Sequence, residues 1–239
     1  MPKLAISSLF ILFACCVLTT QARADTRLGI QLIALSGTHF ETKENAPVTG
    51  IAGFIQLDQR WKTVQIHLEG IPSLGSALVN TATGPVYPTL GLFSASAQFR
   101  LDPAGRFWLG VGTQVIAERT PQAGLSIIDA SRLAGSRYEL LGDFPVGANR
   151  FVESDFAVMP HLSGVLYETK SAPFFNRYSV RAAETASMTD LSLAYGITRG
   201  RFDYLVGERA FNFAAKFASG READRNVGAG LFVAARVRL

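Results

Sequence analysis

Cysteine is almost absent from this 239-residue sequence, and charge is sparse. The only two cysteines, Cys15 and Cys16, lie close to the start. The residues from Asp25 onward therefore hold no disulfide framework, no thiol nucleophile and no cysteine metal site. Charged residues make up only 18% of the chain. No apolar stretch of helical membrane length follows Asp25, and no segment there has a convincing helical period.

The first 24 residues have the features of an export signal. Lys3 supplies a basic start, Leu9 to Leu18 form a short apolar run, and Ala22-Arg23-Ala24 is a small-x-small cleavage site. We therefore expect residues 1–24 to be a signal peptide and residues 25–239 to form one domain. A buried N-terminal helix and a lipid-modified Cys15 are the two alternatives.

The charge balance gives no reason to expect a nucleic-acid partner. The signal holds two of the 23 basic residues and none of the 19 acidic ones, so the rest of the chain has 21 against 19. Its net charge is therefore +2 rather than the +4 of the whole sequence. A small excess among few charges is weak evidence for binding a polyanion.

The last thirteen residues, Val227 to Leu239, alternate without interruption. Their odd positions are apolar and their even positions are mixed, which predicts one long β-strand with a single apolar face. Similar alternation recurs along the chain and predicts about ten strands, with eight as the alternative. The predicted strands are Leu28–Ala34, Ile51–Leu57, Val64–Glu69, Phe93–Leu101, Phe107–Glu118, Arg150–Leu162, Arg177–Ser187, Leu191–Ile197, Phe202–Val206 and Val227–Leu239.

Short turns alternate with long connections. Tight turns are expected at Asp58–Arg60, Asp102–Arg106 and Thr198–Arg201. The long loops are expected at Gly37–Thr49, Ile71–Pro88, Arg119–Asn149 and Ala214–Arg225. One longish join, Ser163–Asn176, falls on the short-turn side and breaks this pattern.

The whole of residues 25–239 resembles the small bacterial outer-membrane β-barrels of the broad OmpA- and OmpW-like group. The resemblance is one of pattern: an export signal, an amphipathic closing strand, loops of unequal length and aromatic residues near strand ends. It implies an all-β fold, a closed antiparallel up-and-down transmembrane barrel in the outer membrane of a Gram-negative-type bacterium. A soluble periplasmic β-sandwich or a lipocalin-like binding barrel would show the same alternation and stays open.

In a barrel, the mixed faces of the strands point into a narrow lumen, where buried charges must be paired. We expect a lumen charge network of Glu69, Arg100, Glu118, Arg181, Asp203, Arg236 and Arg238. Such a network would plug the barrel. Because these arginines outnumber the acids, a narrow anion-preferring channel is the alternative.

Catalytic signals are few, and we expect no enzyme, cofactor or metal site. The one pattern to test is His161-Leu162-Ser163 with Glu168 further on. Outer-membrane lipid A deacylases use a His-x-Ser pair with a glutamate, the serine as nucleophile and the histidine as base. This chain resembles them in the His-x-Ser step alone.

The expected role is therefore structural or surface-interacting. The partners implied are outer-membrane lipid and, through the C-terminal strand at 227–239, the barrel-assembly machinery. The loop at 119–149 is the candidate site for an extracellular ligand, because long loops on a rigid scaffold often carry function.

Overall fold

The computed structural model describes residues 25–40, 45–71, 75–81, 84–86, 89–121, 127–172, 175–217 and 223–239. Within these ranges no helix has the length and apolar character needed to cross a membrane. The strands are β1 (Asp25–Phe40), β2 (Asn45–Arg60), β3 (Val64–Gly70), β4 (Gly75–Thr81), β5 (Gly84–Val86), β6 (Thr89–Arg100), β7 (Phe107–Pro121), β8 (Ile127–Gly147), β9 (Arg150–Ala172), β10 (Phe175–Arg199), β11 (Phe202–Phe217) and β12 (Ala223–Arg238). The predicted signal at residues 1–24 lies outside the described residues.

The strands form a closed antiparallel barrel with an up-and-down order. Strand β1 pairs with β2 on one side and with β12 on the other, which closes the ring. Both β3 and β4 pair with β2 and β6, so they share one position in the wall, and β5 pairs only with β4. The twelve segments thus make a ten-stranded barrel. This confirms the predicted fold and excludes the eight-stranded alternative.

Alternate side chains point outward and inward along the strands, and an apolar band covers the outward face. Leu231 is 64% exposed and Ile30 is 60% exposed. The inward face instead buries polar groups, and Gln98 and Gln114 have no exposed surface. The apolar stripes of neighbouring strands therefore form the outside of the barrel. A soluble sandwich or lipocalin-like barrel would place these stripes in its interior.

Four short connections lie at one end of the barrel, which we call the short-turn end. They run through residues 61–63, 101–106, 148–149 and 200–201. The amide of Leu239 donates to the carbonyl of Thr26 at this same end. Gly105 and Gly200 have φ of 70° and 61°, a conformation that favours glycine.

The expected loop at Arg119–Asn149 is wrong. Strand β7 continues to Pro121, and Ile127–Gly147 is β8, a strand of 21 residues that pairs with β7 and β9. The connection between β8 and β9 is instead the two-residue turn at 148–149.

The predicted division of residues 150–199 is also wrong. The expected join at Ser163–Asn176 is largely strand, because β9 runs to Ala172 and β10 begins at Phe175. The two predicted strands Arg177–Ser187 and Leu191–Ile197 are one strand, β10, of 25 residues. One strand was thus missed and another was divided, so the sequence-based total of ten was reached with two opposite errors.

A change of polarity along the strands explains both errors. Near the short-turn end, β8 exposes Tyr138 and Leu140 and buries Arg137. Farther from that end it exposes Arg132 and buries Leu133. The same reversal occurs in β10, where Leu191 and Leu193 are exposed but Thr185 and Ser187 take the outward positions farther along. Because the apolar face changes sides within one strand, no continuous apolar stripe marks it in the sequence.

Candidate functional site in the barrel lumen

The lumen is crossed by the side chain of Arg209, which comes from β11. Its guanidinium donates to both carboxylate oxygens of Glu69 on β3, at 2.8 and 3.2 Å. It also donates to Asp190 on β10 at 2.9 and 2.5 Å. Strands β12, β1 and β2 separate β11 from β3 in the wall, so Arg209 reaches nearly the opposite side. The group also lies over the ring of Phe54, 4.5 Å from its centroid.

A second arginine, Arg137 of β8, lies beside this group and is 1% exposed. It donates to Glu139 at 2.7 Å, to Gln114 at 3.2 Å and to Asp155 at 3.4 Å. Its Nη1 is 4.0 Å from Asp190, so the two arginines share one carboxylate. We call Glu69, Arg137, Glu139, Asp155, Asp190 and Arg209 the central network.

Neutral side chains extend the central network around the wall. Gln56 donates to Glu69 at 2.8 Å and to Gln31 at 3.0 Å. Gln98 donates to Glu139 at 2.5 Å, and Ser96 also donates to Glu139. Buried charges are tolerated only when they are paired and hydrogen-bonded. Each charged group of this network has at least one such partner, although Oδ1 of Asp155 has none among the described residues. The network draws its residues from β1, β2, β3, β6, β7, β8, β9, β10 and β11.

A further set of ion pairs lies closer to the short-turn end. Asp203 has no exposed surface and accepts hydrogen bonds from Arg238 at 3.0 Å and from the hydroxyl of Thr198 at 2.7 Å. Arg236 donates two hydrogen bonds to Glu153, both of 2.6 Å. The Nδ1 atom of His67 lies 2.6 Å from Asp58. Charged groups thus occupy the lumen from the short-turn end to its middle.

Beyond the central network the described lumen side chains are mainly apolar, although they include one buried carboxylate, that of Glu184 on β10. Ile33, Leu133 and Leu162 are between 0% and 1% exposed, and Met188 and Phe213 are between 7% and 9% exposed. These residues belong to one contiguous buried cluster. The lumen therefore has two layers. Charged side chains occupy the layer on the short-turn side. The layer on the other side contains Ile33, Leu133, Leu162, Met188 and Phe213, and we call it the apolar layer.

The expected lumen residues fall into three groups. Glu69, Asp203, Arg236 and Arg238 lie in the ion pairs described above. Arg100 is half-buried at the short-turn end and forms no ion pair with the described residues. Glu118 and Arg181 lie in β7 and β10, but their side chains are outside the described part of the structure.

The partners differ from the expected ones. Glu69 pairs with Arg209, and Arg236 pairs with Glu153. Arg209 and Glu153 were not among the predicted residues. Arg209 and Asp203 are both at odd positions of β11 and therefore share its inward face. A predicted strand that continued from Val206 to Arg209 would have included it. Arg137 and Glu139 were missed because their strand was taken as a loop. The central network has four carboxylates for two arginines, so the arginine excess behind the anion-channel alternative is absent there.

The His-x-Ser residues point away from the lumen. His161 and Ser163 are exposed on the outer face of β9, while Leu162 between them is fully buried. Glu168 is in the same strand, and its side chain is outside the described residues. Among the residues that the structure describes, no three His, Cys, Asp or Glu side chains are placed to hold a metal ion.

A closed ten-stranded antiparallel barrel with an apolar exterior and a charged interior is the fold of the outer-membrane β-barrels. The outer-membrane protease OmpT from Escherichia coli is similar to this chain, with a TM-score of 0.57, 10% identity, and coverage of 90% of this chain and 97% of OmpT. The β-domain of the Bordetella autotransporter BrkA has a TM-score of 0.46 and 14% identity, with coverage of 90% and 100%. The likeness to OmpT concerns the fold alone. No protein-family model and no curated protein matches the sequence.

Proposed function

We propose that this chain is an outer-membrane β-barrel with a structural or surface-interacting role, and that its own side chains close its lumen. The observation that carries the proposal is the Arg209–Glu69 contact across the barrel, in which both side chains are buried. An ion path along the axis would have to break this pair and its links to Asp190. It would also have to displace the apolar layer, and apolar constrictions exclude ions by excluding water.

The outer surface supports a position in the membrane. Apolar side chains cover the outward face on every side, including Leu32, Ile51, Leu109, Leu193 and Val233, all at least half exposed. A soluble monomer rarely exposes a continuous apolar belt of this kind. Lipid chains are the solvent that such a belt fits.

In this proposal, the surface that interacts with an extracellular partner is at the end opposite the short turns. Strands β8, β9 and β10 have 21, 23 and 25 residues, whereas a tilted strand needs about 9 to 11 to cross a bilayer. The outward positions far from the short turns are polar, as at Arg132, Ser163 and Thr185. These strands therefore extend beyond the apolar belt as a projecting wall. An extracellular ligand would bind on this wall, to which the segment 119–149 contributes strand β8 rather than a loop.

Export and assembly follow from the same proposal. Residues 1–24 would direct the chain through the inner membrane and be removed at Ala24. The C-terminal strand at 227–239 would be the segment that the barrel-assembly machinery contacts, because β12 closes the ring against β1. The proposal includes no enzymatic role. Lipid A deacylation by the wild-type protein that is lost in Ser163→Ala would contradict that part.

Conductance in planar bilayers tests the closed lumen. The folded protein should insert, as shown by a heat-dependent shift on gels, and give no steady current steps. A variant that thins both layers, Arg209→Ala with Phe213→Ala, should give small steps, provided that it keeps the gel shift. Matched outward substitutions, Ala210→Ser with Ala214→Ser, should leave the bilayer silent. Steady steps from the wild-type protein would contradict the proposal.

A further inference from the structure

A pocket of about 440 Å³ opens at the short-turn end of the barrel. It lies between the turn that joins β8 to β9 and the last residues of β10, and it is lined by residues 146–150 and 197–199. The amide of Thr198 donates to the carbonyl of Asn149 at 2.9 Å, which fixes the two sides of the pocket relative to each other.

Two arginines border this pocket on the outer face of the barrel. Arg150 lies opposite Ile197 in the β9–β10 ladder, so Arg199 is only two residues farther along. Both side chains are exposed, and Arg199 has the same parity as the outward-facing Leu193 and Tyr195. Neither arginine forms an ion pair or a side-chain hydrogen bond within the described part of the chain. This contrasts with Arg137 and Arg209 of the central network, which are bound to carboxylates.

Aromatic side chains mark the level of the pocket relative to the membrane. The outward-facing Phe202 and Tyr204 stack with ring centroids 6.1 Å apart, and Phe107 meets Phe144 edge to face at 5.2 Å. Outward aromatic residues collect at the boundary between lipid chains and head groups. All four lie near the short turns, so the pocket is at the head-group level of the adjacent leaflet.

We infer that this pocket binds the phosphate of an anionic phospholipid, with Arg150 and Arg199 as the ligating cations. Guanidinium groups suit phosphate because they offer several donors in one plane. The acyl chains of the same lipid would continue along Ile197 and Leu193, which lie on the same outward face. A free phosphate would use only the polar half of this surface. The inference rests on the proposed function, because it needs the barrel to span a membrane.

Native mass spectrometry of the folded barrel in detergent tests the inference, with phosphatidylglycerol and phosphatidylcholine as the probes. The wild-type protein should retain phosphatidylglycerol preferentially. Each of Arg150→Gln and Arg199→Gln should reduce that retention about fivefold, and the double variant should remove the preference. The matched control is Arg132→Gln, which removes an exposed arginine on the outer face far from the short turns and should retain lipid as the wild type does.

Three results would overturn the inference while leaving the barrel proposal intact. They are equal retention by the folded double variant, an equal loss in Arg132→Gln, and displacement of the lipid by glycerol phosphate at the same concentration. The last result would mean a site for free phosphate. A wild-type chain with no heat-dependent gel shift would overturn the proposed function, and the lipid site with it.

Discussion

Arg236 of β12 and Glu153 of β9 are joined by two hydrogen bonds of 2.6 Å across the lumen. Strands β10 and β11 lie between them in the wall, so the pair ties the closing strand to a strand three positions away. Its geometry is the bidentate one in which an arginine and a carboxylate bind most strongly. The pair therefore holds the barrel wall in its closed cross-section independently of the backbone ladder.

Removing one member of this pair should destabilise the barrel. Glu153→Gln leaves the Arg236 guanidinium without its counter-charge and should lower the free energy of unfolding by about 3 kcal/mol. Urea unfolding in lipid vesicles measures this. Replacing both residues by methionine should cost much less, because no charge is left unpaired. A control is Asp25→Asn at the Arg27–Asp25 pair, where Asp25 is 38% exposed, and it should cost less than about 1 kcal/mol. Equal losses at the two sites would contradict the buried pair.

Glu208 is an exception on the outer face, because it is an exposed carboxylate within the apolar belt. It lies opposite Leu193 on one side and Leu231 on the other, which are 56% and 64% exposed. A charge facing lipid chains is unfavourable. Glu208→Leu should therefore raise the free energy of unfolding in vesicles by about 2 kcal/mol, and Glu208→Gln by part of that. Loss of stability in Glu208→Leu would mean that this face does not contact lipid.

Gly230 of β12 lies directly against the backbone of β1. A Cβ atom at this position would overlap the carbonyl oxygen of Ala34. Gly230→Ala should therefore destabilise the barrel by about 1–3 kcal/mol. Gly53 of β2 also pairs with β1, but a Cβ there would meet only the Leu32 side chain at 3.4 Å. Gly53→Ala is thus the matched control and should be nearly neutral in the same urea experiment. A neutral Gly230→Ala would show that the β12–β1 contact is looser than described.

Asp102, in the turn between β6 and β7, should make the stability of that turn pH-dependent. Desolvation acts to raise the pKa of its carboxyl, but hydrogen bonds from the amide of Phe107 and from the guanidinium and amide of Arg106 outweigh it, so the pKa lies below its ordinary value. A lowered folded-state pKa stabilises the fold above the unfolded pKa, and the gain disappears as the pH falls through the folded one. Asp102→Asn should therefore lower the urea midpoint at pH 7, with a difference that shrinks progressively below about pH 5. A pH-independent difference would contradict this.

The sequence predicted best those strands that stay within the apolar belt. The C-terminal strand is the clearest case, because Leu231 and Val233 face lipid and Phe232 and Ala234 face the lumen along its whole predicted length. Strand β8 was missed for the opposite reason. It leaves the belt partway, so that Arg132 takes an outward position and Leu133 an inward one. Alternation of apolar and polar residues identifies a strand whose outer face meets lipid along its whole length. It fails for a strand whose outer face passes from lipid to water, because the apolar side chains then change faces.

The sequence predicted that charged residues pair in the lumen, but it did not predict which residues are partners. Strand parity placed Glu69, Asp203 and Arg236 on the inward face. Which arginine meets which carboxylate depends on the barrel's cross-section, as the Arg209–Glu69 contact over 140 residues shows. No local sequence pattern predicts a pairing between residues so far apart in the chain. The sequence likewise did not predict the pocket that Arg150 and Arg199 border, because a turn and the end of another strand must come together to form it.

Site-directed spin labelling of the C-terminal strand tests the central claim most directly. The chain from Asp25 onward has no cysteine, so single cysteines can be placed at position 229 and at positions 231 to 234 without background. In vesicles, labels at 229, 231 and 233 should be accessible to lipid-soluble oxygen and not to a water-soluble nickel reagent. Labels at 232 and 234 should be poorly accessible to both, because the lumen is filled. Oxygen accessibility that does not alternate, or that is highest at the even positions, would contradict a barrel that faces lipid outside and is closed inside.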